Sequence, residues 1–314
     1  MRKILKPAFL LIAKTFLSGK SRLFLVGDGR SGTTWVSQAL NFDGNFPEIF
    51  EPFHGRRHLK LSDSRLYLNE TDFNLSSLNS TKYIRDIEQR LFIRRCLATC
   101  SMLSCHGFVI KDISVHMILK QLFDREQVLI YIIRNPISVA LSKERFGSWQ
   151  NESDLTCLAE YSTSIGRLSD ECFGRGLIKT EFLSYILTWS LLNRIALTQL
   201  EDFGFPVVFY ENLLRHPETS FEEVFQLAGL GDRFIDNKSH VLRVIYKESK
   251  TTIEENTIGD WKNDAPHWVG KISSEDLSKA YEILKIFGLY QIYEDTLMPK
   301  VSRSGLAGIK SSWN

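Results

Sequence analysis

Uninterrupted apolar runs alternate along this chain with stretches in which apolar positions return every three or four residues. The runs, rich in Val, Ile, Leu and Phe, fall at 23–27, 108–111, 128–133 and 207–210. Their length and bounding residues predict strands buried on both faces. Helical spacing is clearest at 33–40, 84–103, 115–123, 136–146, 181–203, 219–227 and 274–287. Every run but the last leads directly into such a helix, so the order predicts an α/β fold, a three-layer α/β/α arrangement with a central parallel sheet. Segments 147–176 and 245–270 carry no strong period and read as loops with short helices, while the polar segment 62–82 reads as a surface excursion. With no internal repeat and no linker, one domain is expected over 21–300, preceded by an extension at 1–20 and followed by a tail at 301–314.

Composition narrows the function without naming it. The 314 residues are 43% hydrophobic and 24% charged, as in an ordinary soluble globular protein. Lys+Arg 39 against Asp+Glu 37 leaves little net charge, which argues against a nucleic-acid partner and confines any anion site to a local basic cluster. The five cysteines show no C-x-x-C, so neither a disulfide framework nor a zinc site is expected. The apolar stretch 4–17 is broken by Lys6, Pro7 and Lys14 and falls short of the roughly 20 residues that span a bilayer, so no transmembrane span is expected. An amphipathic helix fits it better, packed on the domain or resting on a membrane surface. N-x-S/T triplets at Asn69, Asn74, Asn79, Asn151 and Asn237 point toward a secretory lumen; the absent anchor and the unpaired cysteines favour the cytoplasm.

The stretch "LFLVGDGRSGTTWVSQAL", residues 23–40, reads as a buried strand, a Gly-rich turn and a helix, an arrangement suited to holding a phosphate. Gly27, Gly29 and Gly32 fit G-x-G-x-x-G, with Glu51 about 20 residues on, where a dinucleotide fold places its acidic ribose ligand. Gly44 and Pro47 interrupt the strand that this reading needs before Glu51. The same glycines fit a nucleotide-triphosphate loop, but Thr33-Thr34 stands where Lys-Ser/Thr would complete it. Here the cation is Arg30, three residues earlier, among the Ser31, Thr33 and Thr34 hydroxyls. Such a nest suits an oxyanion held without metal. A second strand–turn–helix, "VLIYIIRNPISVALS", offers Asn135 as a helix cap and Pro136 in the first turn. Arg134 and Ser142, at the same edge of a parallel sheet, could grip a further anion, so the ligand would carry phosphates at both ends of a nucleoside.

Taken together, these segments resemble the sulfotransferase family. "RSGTTW" is similar to that family's 5′-phosphosulfate loop, and Arg134 with Ser142 eight residues later resembles its 3′-phosphate motif. "FYENLLRHPETSFEEVFQLAGL" at 209–230 resembles its Tyr-Glu-Asp-Leu segment, and "IGDWKN" at 258–263 its late Gly-x-Trp-Lys element. The resemblance implies a P-loop-like core and 3′-phosphoadenosine 5′-phosphosulfate (PAPS) as donor. Arg30, Ser31, Gly32, Thr33 and Thr34 would wrap the phosphosulfate, Arg134 and Ser142 would take the 3′-phosphate at the opposite end, and Trp35 would stack on adenine with Tyr210 nearby. Where cytosolic members carry Arg-Lys-Gly this chain has "YKESKTT", so a third 3′-phosphate contact would fall to Lys247 or Lys250.

Sulfuryl transfer to a hydroxyl needs a base, a cation for charge building on the bridging oxygen, and in-line positioning. A sulfuryl group carries less charge than a phosphoryl group, so an Arg or Lys clamp suffices and no metal is expected. "EIFEPFH" is similar to the Glu-Pro-Leu-x-His stretch of carbohydrate sulfotransferases, which makes Glu51 the implied base and a carbohydrate or similar hydroxyl-bearing molecule the implied acceptor. Cytosolic members instead use a His two residues after a Lys; here Ile113 stands there, leaving His54 and His116 as substitutes. Lys111, at a strand end, is the candidate for the bridging oxygen. The basic run "HGRRHLK", 54–60, is either a solvated face or a groove for an acidic acceptor. Two other classes remain open: a nucleotide kinase or NTPase with a degenerate loop, and a non-catalytic module that binds bisphosphoadenosine.

Overall fold

The computed structural model describes residues 20–59, 64–75, 83–84, 86–89, 105–123, 128–147, 152–247, 268, 270–302, 304–310 and 313. Its framework is a five-stranded sheet, β1 (Ser21–Gly27), β2 (Glu48–Phe50), β3 (Gly107–Asp112), β4 (Val128–Ile133) and β5 (Val207–Phe209), in the order β2-β3-β1-β4-β5. Every pairing is parallel, with Leu23 facing Val109 on one side and Val128 on the other. Side chains alternate across each strand, which is why these segments read as continuous apolar runs. Phe24, Val26, Phe108, Ile110, Leu129 and Tyr131 enter one core, whereas Leu23, Leu25, Val109, Ile130 and Ile132 enter the other. Two buried faces on one sheet require two helical layers, and the three-layer expectation holds.

Four helices position the strand ends and loops: α1 (Thr33–Leu40), α2 (Pro136–Phe146), α3 (Glu181–Phe203) and α4 (Ser274–Ile286). On one face, α1 packs with helix Pro217–Leu227 through Trp35, Val36, Phe221 and Val224. On the other, α2, α3 and α4 contribute Ile137, Trp189, Leu192 and Ile283. Helix α2 starts where its sequence says it should: the Asn135 side chain accepts hydrogen bonds from the Ile137 and Ser138 N–H groups, and Pro136 occupies the first turn. Helix α3, 23 residues long, starts at Thr180, whose hydroxyl accepts from the Leu183 N–H, and ends at Gly204 in the left-handed region.

One expectation changes and two are sharpened. Segment 147–176, read as loops with short helices, holds helices Glu152–Ala159 and Thr163–Gly174. Within 62–82, Leu66, Tyr67, Leu68 and Phe73 are buried in the larger core rather than lying on a surface excursion. Strand β2, in the segment that Gly44 and Pro47 interrupt, is a three-residue edge strand paired to β3. The tail contributes to the core as well, through Leu306 and Ile309. The expected helix at 4–17 and the segment 91–104 lie outside the described residues. Cys105, Cys157 and Cys172 are buried. No described helix is long and apolar enough to cross a membrane.

Candidate functional site

In a parallel sheet all strands end at the same edge, and here each strand delivers a chemically active residue to it. Past β1 comes the loop 28–32 with Arg30, past β2 Glu51, at the end of β3 Lys111, past β4 Arg134, and past β5 Tyr210. Strand β1 has β3 on one side and β4 on the other, so the Arg30 loop stands over the middle of the sheet.

That loop is bent by two residues in the left-handed region, Arg30 at φ 74° and Gly32 at φ 87°. Gly32 has a second reason to be glycine, because a Cβ there would lie 2.3 Å from the Tyr210 ring. No side chain caps α1, whose first N–H groups face the loop. Ser31 is buried, and its Oγ has no hydrogen-bond partner among the described residues. A buried hydroxyl without such a partner, beside an uncapped helix start and an arginine, fits an oxyanion. Thr33 is buried and Thr34 half-buried on the first turn of the same helix.

The two expected anion grips are joined. Arg30 Nε donates to Ser142 Oγ at 2.9 Å, and Arg134 Nη1 donates to the Arg30 carbonyl at 2.8 Å. Arg30 also lies over the Phe146 ring at 4.3 Å and Arg134 over the Tyr210 ring at 4.5 Å. The Arg30 side chain thus reaches the residue assigned to the opposite end of the nucleoside. The strand end carrying Arg134 is fixed from behind. Trp189 Nε1 donates to the Arg134 carbonyl at 2.9 Å, and Glu211 accepts from the Asn135 N–H and from the Tyr293 hydroxyl, each at 2.8 Å. Burial raises the Glu211 carboxyl to about 7.

Trp35 is 4% exposed, with its indole edge-on to Tyr210 and Phe221 and its N–H donated to the Ile245 carbonyl at 3.0 Å. This is a core position, and the half-buried Tyr210 is the ring nearer the site. Lys250 and the segment 258–263 lie outside the described residues.

On the other side of the loop, Glu51 is 4% exposed and sits at φ 47°, just past the end of β2. Lys111 Nζ donates to Glu51 Oε1 at 2.5 Å, and Arg57 Nη1 to Oε2 at 3.3 Å. Neither Glu51 nor Lys111 is the solvent-facing charge that its place at a strand end could have made it. Below them, Asp112 accepts from the Phe53 and Ser114 N–H groups, which locks the chain leaving β2 onto β3.

The histidine substitutes separate clearly. His116 is fully buried, and burial and then Lys143 push it down to about 3, so it cannot meet a substrate. His54 is driven down to about 4, chiefly by burial and then by Arg57, and its Nδ1 accepts from the Arg57 N–H. It is neutral at pH 7 and a weak base. Of the basic run, Arg56 is committed to the buried Asp154 and the Ser64 carbonyl, leaving Arg57, 61% exposed, as the cation facing outward beside Glu51. Lys60 lies outside the described residues.

Sequence reasoning missed Asp28, Lys143, Glu211 and Tyr293. Asp28 and Lys143 are each 2% exposed and form an ion pair in which Lys143 Nζ reaches both carboxylate oxygens at 2.7 Å. The only local signal was a charged residue at the end of an apolar strand and another on the buried side of a helix. No group of side chains able to hold a metal ion occurs among the described residues.

Comparison with solved structures finds a mouse sulfotransferase, SULT7A1, complexed with PAP, at 12% identity and TM-score 0.45, covering 96% of this chain and 93% of that one. The sulfotransferase domain from the curacin biosynthetic pathway matches at 15% identity and TM-score 0.43 over 94% of this chain and 97% of that one. The sulfotransferase domain of the Synechococcus PCC 7002 olefin synthase matches at 15% and 0.38 over 94% and 96%. No curated protein matches. The sequence model of the sulfotransferase domain matches residues 20–267, most of the chain and all five strands, and on that match this protein belongs to the sulfotransferase family.

Proposed function

We propose that this protein moves a sulfuryl group from PAPS to a hydroxyl of a carbohydrate or similar acceptor, with no metal taking part. The observation that carries the reading is the joining of the two motifs: Arg30 meets Ser142, and Arg134 holds the Arg30 carbonyl, beside a buried Ser31 hydroxyl that has no partner among the described residues. Arg30, Ser31, Gly32, Thr33 and Thr34 would hold the phosphosulfate, with Arg134, Ser142 and the Tyr210 ring holding the rest of the nucleotide. Bound there, the donor supplies an activated sulfuryl group and a stable bisphosphate leaving group.

The chain's own chemistry lies in Glu51 and Lys111. Their 2.5 Å contact puts a base beside a cation, and the two charges suit opposite ends of an in-line displacement. Lys111 shared toward the bridging oxygen frees Glu51 Oε1 to accept the acceptor's proton. Arg57 retains Oε2 and keeps the carboxylate oriented. Burial of both Glu51 and Lys111 excludes competing water and strengthens their fields. The exposed Arg57 supports an acidic acceptor, a contact that weakens as salt rises.

A thermal-shift comparison tests the donor. 3′-Phosphoadenosine 5′-phosphate (PAP) is expected to raise the melting temperature in the presence of EDTA, while ATP with magnesium and NAD leave it unchanged. A shift with ATP and magnesium alone, or with NAD alone, overturns the reading in favour of a kinase or a dehydrogenase.

A further inference from the structure

Asp28 and Lys143 lie behind the site and touch nothing that reacts. Both are 2% exposed, and the lysine bonds both carboxylate oxygens at 2.7 Å. A buried ion pair is an expensive way to hold two elements together, and apolar side chains of similar size commonly do as well or better, so its placement calls for a reason beyond stability. Burial pushes the Asp28 carboxyl upward and the Lys143 charge opposes this, so neither is at ease without the other.

The placement is specific. Asp28 opens the donor loop: its carbonyl accepts the Ser31 N–H at 3.1 Å, forming the turn that presents Arg30 and Ser31. Lys143 directly follows Ser142 on α2. Loop and helix are therefore tied twice at adjacent positions, Arg30 to Ser142 at the site and Asp28 to Lys143 behind it. Arg30 and Ser142 are the groups that a donor engages, so their mutual contact cannot also keep the loop in place during binding. The dry tie behind them can. The Tyr185 ring lies 5.9 Å from Lys143 Nζ, and His116, which feels the Lys143 charge, is held neutral by burial.

We infer that the Asp28–Lys143 ion pair is a positioning device that fixes the spacing between the donor loop and α2, and that nucleotide affinity depends on it. The inference rests on the proposed donor and adds two positioning residues to it. The test measures PAP affinity by titration calorimetry, well below the melting temperature, for Lys143→Met, Asp28→Asn, the double variant, and Lys143→Arg. Each single variant strands a buried charge and is expected to lose stability as well as affinity. The double variant Asp28→Asn/Lys143→Met removes both charges. It is expected to recover most of the melting temperature yet bind PAP at least tenfold more weakly than the wild type, with Lys143→Arg nearer to the wild type. A folded double variant that binds PAP within twofold of the wild type overturns the inference while leaving the donor reading intact. A wild-type chain that does not bind PAP overturns both.

Discussion

The two halves of the site are built differently. The proposed donor half lies over the middle of the sheet, where β1 has neighbours on both sides, and its loop and the backbone at the β4 end are held from behind by Asp28–Lys143, Glu211 and Trp189. The acceptor half hangs from β2, a three-residue strand at the sheet edge, and carries the exposed Phe50 and Arg57. A central strand cannot shift without disturbing two ladders, whereas an edge strand disturbs one. The donor half is thus suited to a ligand that does not vary, and the acceptor half to one that does.

The sharpest way to break this contrast is at Glu51. Glu51→Gln is expected to lower turnover about 100-fold or more, the scale of lost general-base catalysis, while PAP affinity stays within about twofold. Equal losses in both would merge the halves; unchanged turnover would move the base to His54. Next in size, Arg30→Ala or Arg134→Ala should weaken PAP binding by roughly 1.5–3 kcal/mol, the worth of a hydrogen bond to a charged group. Calorimetry giving wild-type affinity for both would remove the donor half as drawn.

The smallest effect concerns pH. Burial raises Glu211 to about 7, so between its ordinary value near 4.5 and about 7 the folded chain holds a proton that the unfolded chain has released. Glu211 therefore favours the folded state at pH 5, and that contribution is lost as pH rises through 7. Asp112, raised by burial to about 6, acts with the same sign over a lower range. His54 and His116, lowered to about 4 and 3, act with the opposite sign: unfolded histidines near 6.5 begin to bind protons below about 7.5, and the contribution is lost as pH falls from there. Between pH 6.5 and 7.5 the two histidines offset much of the Glu211 change in the wild type, so Glu211→Gln, which keeps both histidines, isolates it. The wild-type melting temperature is expected to fall by about one degree across that interval relative to Glu211→Gln. Parallel curves for the two proteins would remove Glu211 as the titrating clamp.

How an element is buried decided whether the sequence displayed it. Strands β1, β3, β4 and the short β5 were legible because parallel strands covered on both faces must be apolar throughout, as "VLIYII" is. Strand β2 was not, since of its Glu-Ile-Phe only Ile49 is buried, whereas the equally short β5 is Val-Val-Phe and buried throughout. Helix Thr163–Gly174 escaped because its buried face is Ile165, Ser169 and Cys172, where a small polar residue interrupts the apolar stripe. In the site, Arg30 could be picked out from its Gly-rich turn, Lys111 and Arg134 from their places at the ends of apolar runs, and Glu51 from the resemblance of "EIFEPFH" to carbohydrate sulfotransferases. Their supports could not: Asp28 pairs with Lys143, and Asn135 with Glu211, across long stretches of sequence that no local spacing connects.

The wiring of the sheet also sets an order of assembly. Strand β1 emerges first from the ribosome but has no neighbours until Gly107 and then Val128 have been made, and the clamp on the Arg134 strand end waits for Glu211 and Tyr293. Contacts so distant along the polypeptide close slowly, since a long loop must be gathered before any reward is returned. Nucleotide retention is therefore completed late in biogenesis, and fragments that stop short of Tyr293 should be synthesised with their arginines in place and yet be unable to keep them aimed.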